Sequence, residues 1–130
     1  YIITGNNRDV NRYKWNYKNI SKRLDNKNSK QSIFYQKISN LLNVRRKQKA
    51  FHPNASRQNI NFGSKIFSFK RISIDKKQTI ICITNLSSKI QSVQLKKIYH
   101  NWINLVGPKI EVKNKLLELK PFETIWLSNK

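Results

Sequence analysis

A short polar segment near the start of the chain carries the residues best suited to bind an anion. Residues 4–12 include two arginines, one aspartate, three asparagines and one glycine, with a single aliphatic side chain. This segment cannot be a core strand, because each buried polar side chain would need a partner. Gly5 and the asparagines tolerate left-handed backbone angles, so we expect a shaped loop.

Two arginines in this loop, Arg8 and Arg12, offer planar forked donors that match a carboxylate or a phosphate. Asp9 can hold one of these forks through an ion pair, and a carboxylate paired in this way is a poor general acid. The segment therefore allows two interpretations. It is either an anion-binding loop or a solvated loop with an internal Arg–Asp pair.

A helix is predicted from Ser29 or Ser32 to about Lys49, with one of the two serines as its N-cap. Its apolar residues recur at spacings of three and four, which places most of them on one face. We expect that face to pack against another apolar surface. The apolar positions are Ile33, Phe34, Ile38, Leu41, Leu42 and Val44.

From Arg57 onward the apolar pattern changes to alternation, and turn residues separate the alternating segments. Six to eight short strands over this length predict an antiparallel sandwich or half-barrel. Cys82 lies in one of the apolar runs and should be a small buried hydrophobe. The predicted strand segments are Ile60 with Phe62, 66–71, 79–84, Val93 with Leu95, Ile110 with Val112, Leu117 with Leu119, and Ile125 with Leu127.

The net charge of +21 points to nucleic acid or to an anionic membrane surface. However, lysine outnumbers arginine 20 to 7 and the lysines are scattered along the chain. A selected phosphate-binding face would show more clustering and more arginine. Since lysine, asparagine and isoleucine are all encoded by A- and T-rich codons, we attribute most of the charge to base composition and do not expect nucleic-acid binding.

Three segments together resemble the sucrose phosphorylase branch of the α-amylase superfamily. Residues 5–12 are similar to its "GRNRDINR" loop. Residues 41–55 resemble the end of its last barrel helix with the "VRRxQxAFHPNA" junction, and residues 119–127 resemble its closing "L-x-P-Y/F-x-x-x-W-L" strand. They occur in the family's order and spacing and span nearly the whole chain.

The resemblance implies an α+β fragment: the last loop and helix of a (β/α)8 barrel, followed by a small antiparallel β-sandwich domain. Residues 1–49 would be the end of the catalytic barrel and residues 50–130 the C-terminal all-β domain. The chain contains no methionine, so we expect it to begin within a longer gene that encodes the rest of the barrel.

The activity implied by the resemblance is retaining transfer of glucose from sucrose, sucrose 6-phosphate or glucosylglycerate to phosphate, which yields α-glucose 1-phosphate. Family members carry their catalytic carboxylates upstream of these segments, and no catalytic residue is assigned to this chain. We therefore expect it to be inactive alone. Its acidic residues are Asp9, Asp25, Asp75, Glu111, Glu118 and Glu123.

By the same resemblance, Arg8 would contact phosphate or the acceptor sugar, while Asn7, Asp9, Asn11 and Arg12 would hold the loop or touch sugar hydroxyls. Arg12 can equally be a structural partner of Asp9. The chain departs from the family's frequent "HxY" continuation with Tyr13-Lys14-Trp15, which leaves the acceptor open.

We expect no metal or other cofactor, because a lone cysteine and two distant histidines provide no ligand spacing. The expected partners are a sugar substrate, inorganic phosphate and the missing barrel, in the cytoplasm and without a membrane. Two alternatives are a basic β module that binds nucleic acid and a carbohydrate-binding module that stacks sugars on Tyr13, Trp15 and Tyr17.

Overall fold

The computed structural model describes residue 5 and residues 14–99, 101–107, 110 and 116–130. It divides the chain into two compact units, Tyr1–Asn40 and Leu41–Lys130. Helix α1 spans Tyr17–Asp25, helix α2 spans Lys30–Arg46, and a single 3-10 turn follows at Lys49–Phe51.

Side-chain caps explain where the two helices begin. Asn16 Oδ1 accepts a hydrogen bond from the backbone N–H of Lys18 (3.0 Å). Ser29 Oγ accepts one from the N–H of Ser32 (3.0 Å), so Ser29 rather than Ser32 caps α2. The predicted helix is thus confirmed, although it ends at Arg46 because Gln48 already has an extended backbone (φ −97°, ψ 117°).

Helix α2 leaves large apolar side chains exposed. Phe34 is 68% exposed and Tyr35 is 60% exposed, whereas Ser32 is the buried residue of this helix. A stripe of exposed apolar side chains usually marks a surface that another part of a protein covers.

Seven strands lie within the described residues and form two antiparallel sheets. The larger sheet has the order β1-β2-β3-β7-β5, and the smaller sheet pairs β4 with β6. This arrangement confirms the predicted antiparallel sandwich. The strands are β1 Ser56–Asn59, β2 Ile66–Ile72, β3 Thr79–Asn85, β4 Gln91–Gln94, β5 Ile103–Asn104, β6 Leu116–Leu119 and β7 Thr124–Ser128.

The main core lies between the sheets. Alternate residues of β3 and β7 face alternate residues of β4 and β6, as the period of two requires. All of its members are at most 3% exposed, and they are Ile81, Ile83, Val93, Leu95, Leu117, Leu119, Ile125 and Leu127. The opposite face of the larger sheet carries a second, smaller cluster around Ala50, Ile80 and Cys82, so the predicted burial of Cys82 is confirmed.

The first predicted strand is displaced along the chain. The paired residues are Ser56–Asn59, whereas Ile60 and Phe62 follow the strand and pack against the main core. Ile60 still donates its N–H to the carbonyl oxygen of Ser68 (3.2 Å), but neither residue belongs to the paired strand. Their alternation therefore indicated partial burial rather than the position of the strand. The predicted pair Ile110 and Val112 falls partly on residues 111–115, outside the described residues.

Within the described ranges, no helix is long and apolar enough to cross a membrane. Cytoplasmic location stays a prediction.

Asn85 is the most completely bonded polar residue of the core. Its side chain is fully buried, and its Nδ2 donates to the carbonyl oxygens of Lys89 (2.7 Å), Leu119 (3.2 Å) and Lys120 (2.9 Å). Its Oδ1 accepts from the N–H (2.9 Å) and Oγ (2.8 Å) of Ser87. One amide therefore joins the end of β3 to the loop before β4 and to the end of β6.

We predict that Asn85→Ala lowers the free energy of unfolding by about 1–3 kcal/mol, because it leaves buried carbonyl groups without a donor. Urea denaturation followed by tryptophan fluorescence measures this. Asn54→Ala is the matched control, since Asn54 is exposed and should change stability by less than about 0.5 kcal/mol. Equal effects of the two substitutions would contradict the role given to Asn85.

Candidate functional site

The residues predicted to bind substrate, Asn7, Arg8, Asp9, Asn11 and Arg12, lie outside the described residues. Their roles therefore stay predictions. Gly5, at the start of the same loop, is described and has a positive φ of 66°. That backbone angle is one that glycine adopts without strain, as expected of a shaped loop.

The aromatic platform considered for sugar stacking is described in part. Trp15 is 47% exposed and Tyr17 is 82% exposed, while Tyr13 lies outside the described residues. The guanidinium carbon of Arg23 lies 5.3 Å from the centroid of the Trp15 ring. A cation therefore already stacks on Trp15, which leaves less of its surface for a sugar.

The junction that follows α2 is fastened to the β-sandwich by Gln78, which is 7% exposed. Gln78 Oε1 accepts a hydrogen bond from the N–H of Ala50 (3.0 Å), and its Nε2 donates to Gln48 Oε1 (2.7 Å). Since Gln78 immediately precedes β3, these bonds tie the chain after the helix to the centre of the larger sheet.

Arg71, on β2, fastens the same junction from a second side. Its Nε donates to the carbonyl oxygen of Ala50 (3.1 Å) and its Nη2 to that of His52 (2.6 Å). Two N–H groups of the guanidinium thus bond two backbone carbonyl oxygens. These carbonyls lie beyond the end of α2, so no N–H group of that helix bonds them. We call Gln78 and Arg71 the junction clamp, and both are positioning residues rather than ligand contacts.

The clamp brings together two of the segments that carried the family resemblance. Phe51 of the junction contacts Trp126 of the closing strand β7, with ring centroids 4.9 Å apart and an interplanar angle of 62°. This edge-to-face arrangement is favourable for aromatic pairs. Both residues pack over Cys82, whose burial raises its pKa to about 12.

A shallow cleft of about 500 Å³ lies beside this aromatic contact. Its charged lining residues are all arginines, namely Arg45, Arg57 and Arg71. Arg57 stacks over Phe69, with the guanidinium carbon 4.9 Å from the ring centroid. With Phe67 still 47% exposed, the cleft presents apolar and cationic surface together.

In the unit Leu41–Lys130, two acidic side chains accept hydrogen bonds within turns. Asp75 accepts hydrogen bonds from Ser73 Oγ (2.6 Å), the Lys77 N–H (3.1 Å) and Lys49 Nζ (3.2 Å), which hold the pKa of its carboxyl well below the usual range. Glu123 lies within residues 119–127, the segment that resembles the family's closing strand, but its Oε2 accepts from the Lys120 N–H (2.7 Å) and so caps the turn before β7. Neither arrangement favours proton donation.

His52 lies in a turn, where its Nδ1 accepts a hydrogen bond from the Asn54 N–H (3.2 Å). Among the described residues, no group of three or more histidine, cysteine or acidic side chains is placed to hold a metal ion.

No protein-family model matches the chain. Two curated proteins do. Glucosylglycerate phosphorylase of Spirochaeta thermophila is 30% identical over 84 residues, which are 65% of this chain and 14% of that protein. Glucosylglycerate phosphorylase of Escherichia coli is 25% identical over 126 residues, which are 95% of this chain and 21% of that protein.

The chain is similar to α-amylase-family enzymes in sequence and in fold. The solved structure of AmyP in complex with maltotriose superposes with a TM-score of 0.64 at 24% identity, covering 79% of this chain and 22% of that protein. The shared fold is that of the C-terminal β domain of α-amylase-family enzymes. The resemblance in the sequence and the predicted fold class are thereby confirmed, and the chain spans only 14% to 22% of the length of these proteins.

We predict that Arg71→Lys destabilises the chain by about 1–2 kcal/mol, because an ammonium group cannot reach both carbonyls in the plane of the guanidinium. Equilibrium denaturation measures the change. Arg46→Lys is the control, since Arg46 is exposed at the end of α2 and keeps its charge there. A loss no larger than that of the control would show that the second hydrogen bond contributes nothing.

A second prediction concerns the cover over Cys82. At pH 8 the native thiol should react with an alkylating reagent about 1,000-fold more slowly than the unfolded thiol, because little thiolate forms at this buried position. Phe51→Ala removes part of the cover and should accelerate labelling at least about tenfold. Phe122→Ala, at a residue that is 68% exposed, is the control and should leave the rate unchanged.

Proposed function

We propose that the chain is the C-terminal part of a sucrose phosphorylase-like enzyme that transfers a glucosyl group from an α-glucoside to inorganic phosphate. The observation that carries the proposal is the match to two glucosylglycerate phosphorylases, one of which aligns with 95% of this chain. The contact between Phe51 and Trp126 supports it, because residues of two separately recognised segments pack on each other.

We propose that residues 1–49 supply an active-site loop and the last helix of a (β/α)8 barrel, and that residues 50–130 form the domain that follows. The exposed aromatic side chains Phe34 and Tyr35 on α2 support this division, since a barrel helix needs an apolar surface beside it. The junction clamp would then hold the β-sandwich at the end of that helix.

Among the donors considered, glucosylglycerate is favoured by the name that both relatives carry. Glucosylglycerate contains a carboxylate, whereas sucrose is uncharged and sucrose 6-phosphate carries a phosphate. We therefore infer that the complete enzyme accepts a glucoside of an anionic acceptor in preference to sucrose.

In the proposed retaining reaction, a carboxylate elsewhere in the enzyme attacks the anomeric carbon and forms a glucosyl ester. The glycosidic C–O bond breaks, and the aglycone leaves with a proton from a second carboxylic acid. A phosphate oxygen then attacks the anomeric carbon, releases the first carboxylate and yields α-glucose 1-phosphate. This chain would supply the means to hold the phosphate. Arg8 presents two donors in one plane and would contact phosphate or the acceptor. Asn7, Asp9, Asn11 and Arg12 would hold the loop or bind sugar hydroxyls.

A chimera tests the proposal. The segment of Escherichia coli glucosylglycerate phosphorylase that aligns with this chain is replaced by the chain, and release of α-glucose 1-phosphate is measured with glucosylglycerate, sucrose and sucrose 6-phosphate. We expect the chimera to be active, with glucosylglycerate as the preferred donor, and the chain alone to be inactive. A folded chimera without phosphorolysis of any donor would overturn the proposal.

Within the active chimera, Arg8→Lys should lower kcat/KM for phosphate about 10- to 100-fold, because one hydrogen bond of a charged fork is lost. The thermal midpoint should stay within about 2 °C of the parent, since the substitution keeps the positive charge of the side chain. Arg46→Lys is the matched control and should leave both quantities unchanged. A fall in the thermal midpoint with kcat/KM unaltered would assign Arg8 to the structure of the loop.

Nucleic-acid binding, the alternative suggested by the charge of +21, is tested on the chain itself. Titration of DNA and RNA at several salt concentrations separates the two functions. Tight binding that falls steeply with salt would favour a nucleic-acid-binding module. We expect only weak binding of both nucleic acids.

A further inference from the structure

A polar groove of about 620 Å³ opens between the edge of the larger sheet and strand β4 of the smaller sheet. Its walls come from β1, β2, β4 and the segment that includes Tyr99. A volume of this size is within the range that small-molecule sites occupy. The groove shares no lining residue with the cleft beside Phe51.

Two lysines, Lys70 and Lys96, supply the positive charge of the groove. In the register of β2 and β3, Ser68 pairs with Ile83 and Lys70 pairs with Ile81, so Lys70 lies on the face that carries the main core. It is half-buried, and no described acidic residue lines the groove or forms an ion pair with it. A second lysine, Lys96, lines the same groove. Two cations without a counter-charge create a local preference for an anion.

Side-chain amides surround these lysines. Gln58 pairs with Lys70 across the two strands, and Gln94 faces the groove from β4. In the described part of the chain, neither amide is engaged in a side-chain hydrogen bond. Each offers an acceptor and two donors at the mouth of the groove, which is the chemistry that sugar hydroxyls need.

An aromatic ring completes the groove. Tyr99 is half-buried and contacts Trp102 edge-to-face, with centroids 4.8 Å apart and an interplanar angle of 72°. The contact restrains the Tyr99 ring, so that it can offer an apolar surface of defined orientation to the C–H groups of a sugar.

We propose that this groove binds an anionic saccharide, a sugar that carries a phosphate or a carboxylate group. The lysines would receive the charge, the amides the hydroxyls and the Tyr99 ring the apolar face of the sugar. An inward lysine near a sheet edge also protects against edge-to-edge pairing. Edge protection would account for Lys70, and packing against the main core accounts for the Tyr99 ring. Neither explains why Lys96 and two side-chain amides line the same groove.

The test uses the full chain and isothermal titration calorimetry at low ionic strength. Four probes are compared: glucose 6-phosphate, glucuronate, glucose and inorganic phosphate. We expect at least one of the two anionic sugars to bind at least about tenfold more tightly than glucose and than inorganic phosphate, because only it engages both the lysines and the amides. The stronger of the two identifies the charged group that the groove prefers.

Three substitutions locate the site. Lys70→Gln and Lys96→Gln should each weaken binding of the preferred sugar about tenfold, because each removes one charge-assisted hydrogen bond. Lys89→Gln is the matched control, since Lys89 is exposed and does not line the groove. Lys96 is exposed as well, so its variant tests the groove even if Lys70→Gln lowers stability.

Several results would overturn the proposal. One is equal affinity for glucose 6-phosphate and inorganic phosphate, which would reveal a simple anion site. Another is the absence of binding by both charged sugars. A third is an equal loss in the Lys96→Gln and Lys89→Gln variants, which would show that only the net charge matters. None of these outcomes bears on the phosphorolysis of the chimera, so the two proposals fail separately.

Discussion

The structure of the sandwich unit depends on how the chain leaves helix α2. A helix end leaves backbone groups without intrahelical partners, and here the chain must also turn at once onto the outer face of a sheet. Gln78 accepts a hydrogen bond from the N–H of Ala50, and Arg71 donates to the carbonyl oxygens of Ala50 and His52. Arg71 lies in β2, and Gln78 immediately precedes β3, the strand that pairs with β2. The junction is therefore held by the larger sheet. From that anchored position Phe51 contacts Trp126 of β7.

The net charge of +21 does not show how the charged side chains are used in the fold. The acidic residues Asp75 and Glu123 are used inside turns, where they cap backbone N–H groups. Most lysines and arginines therefore have no carboxylate in reach, and the one ion pair in the described ranges joins Lys49 to Asp75. Base composition explains the number of lysines, but it does not explain why Lys70 lies on the core side of its strand.

Local sequence patterns predicted the secondary structure correctly where a single local feature, such as a helix cap or a period of two, determines it. A serine followed by a helical apolar spacing predicted α2, and period-two alternation with turn residues predicted the antiparallel sandwich. The pattern was misleading at Ile60 and Phe62, because alternation indicates burial and these residues are partly buried although they lie after the paired strand. The role of Asn85 was not visible either. Its partners are far away in the sequence, and an asparagine after a strand is by itself an ordinary turn signal.

The sequence by itself determined the fold class and the similarity to α-amylase-family enzymes, since both depend on the order and periodicity of residues along the chain. It also singled out Arg8 and its neighbours, through a motif that needs no coordinates. Only the tertiary structure decided that Arg71 and Gln78 clamp the junction and that Lys70, Gln58, Gln94 and Tyr99 share one groove. Strand register brings those side chains together, and register depends on the packing of the whole sandwich rather than on any one segment.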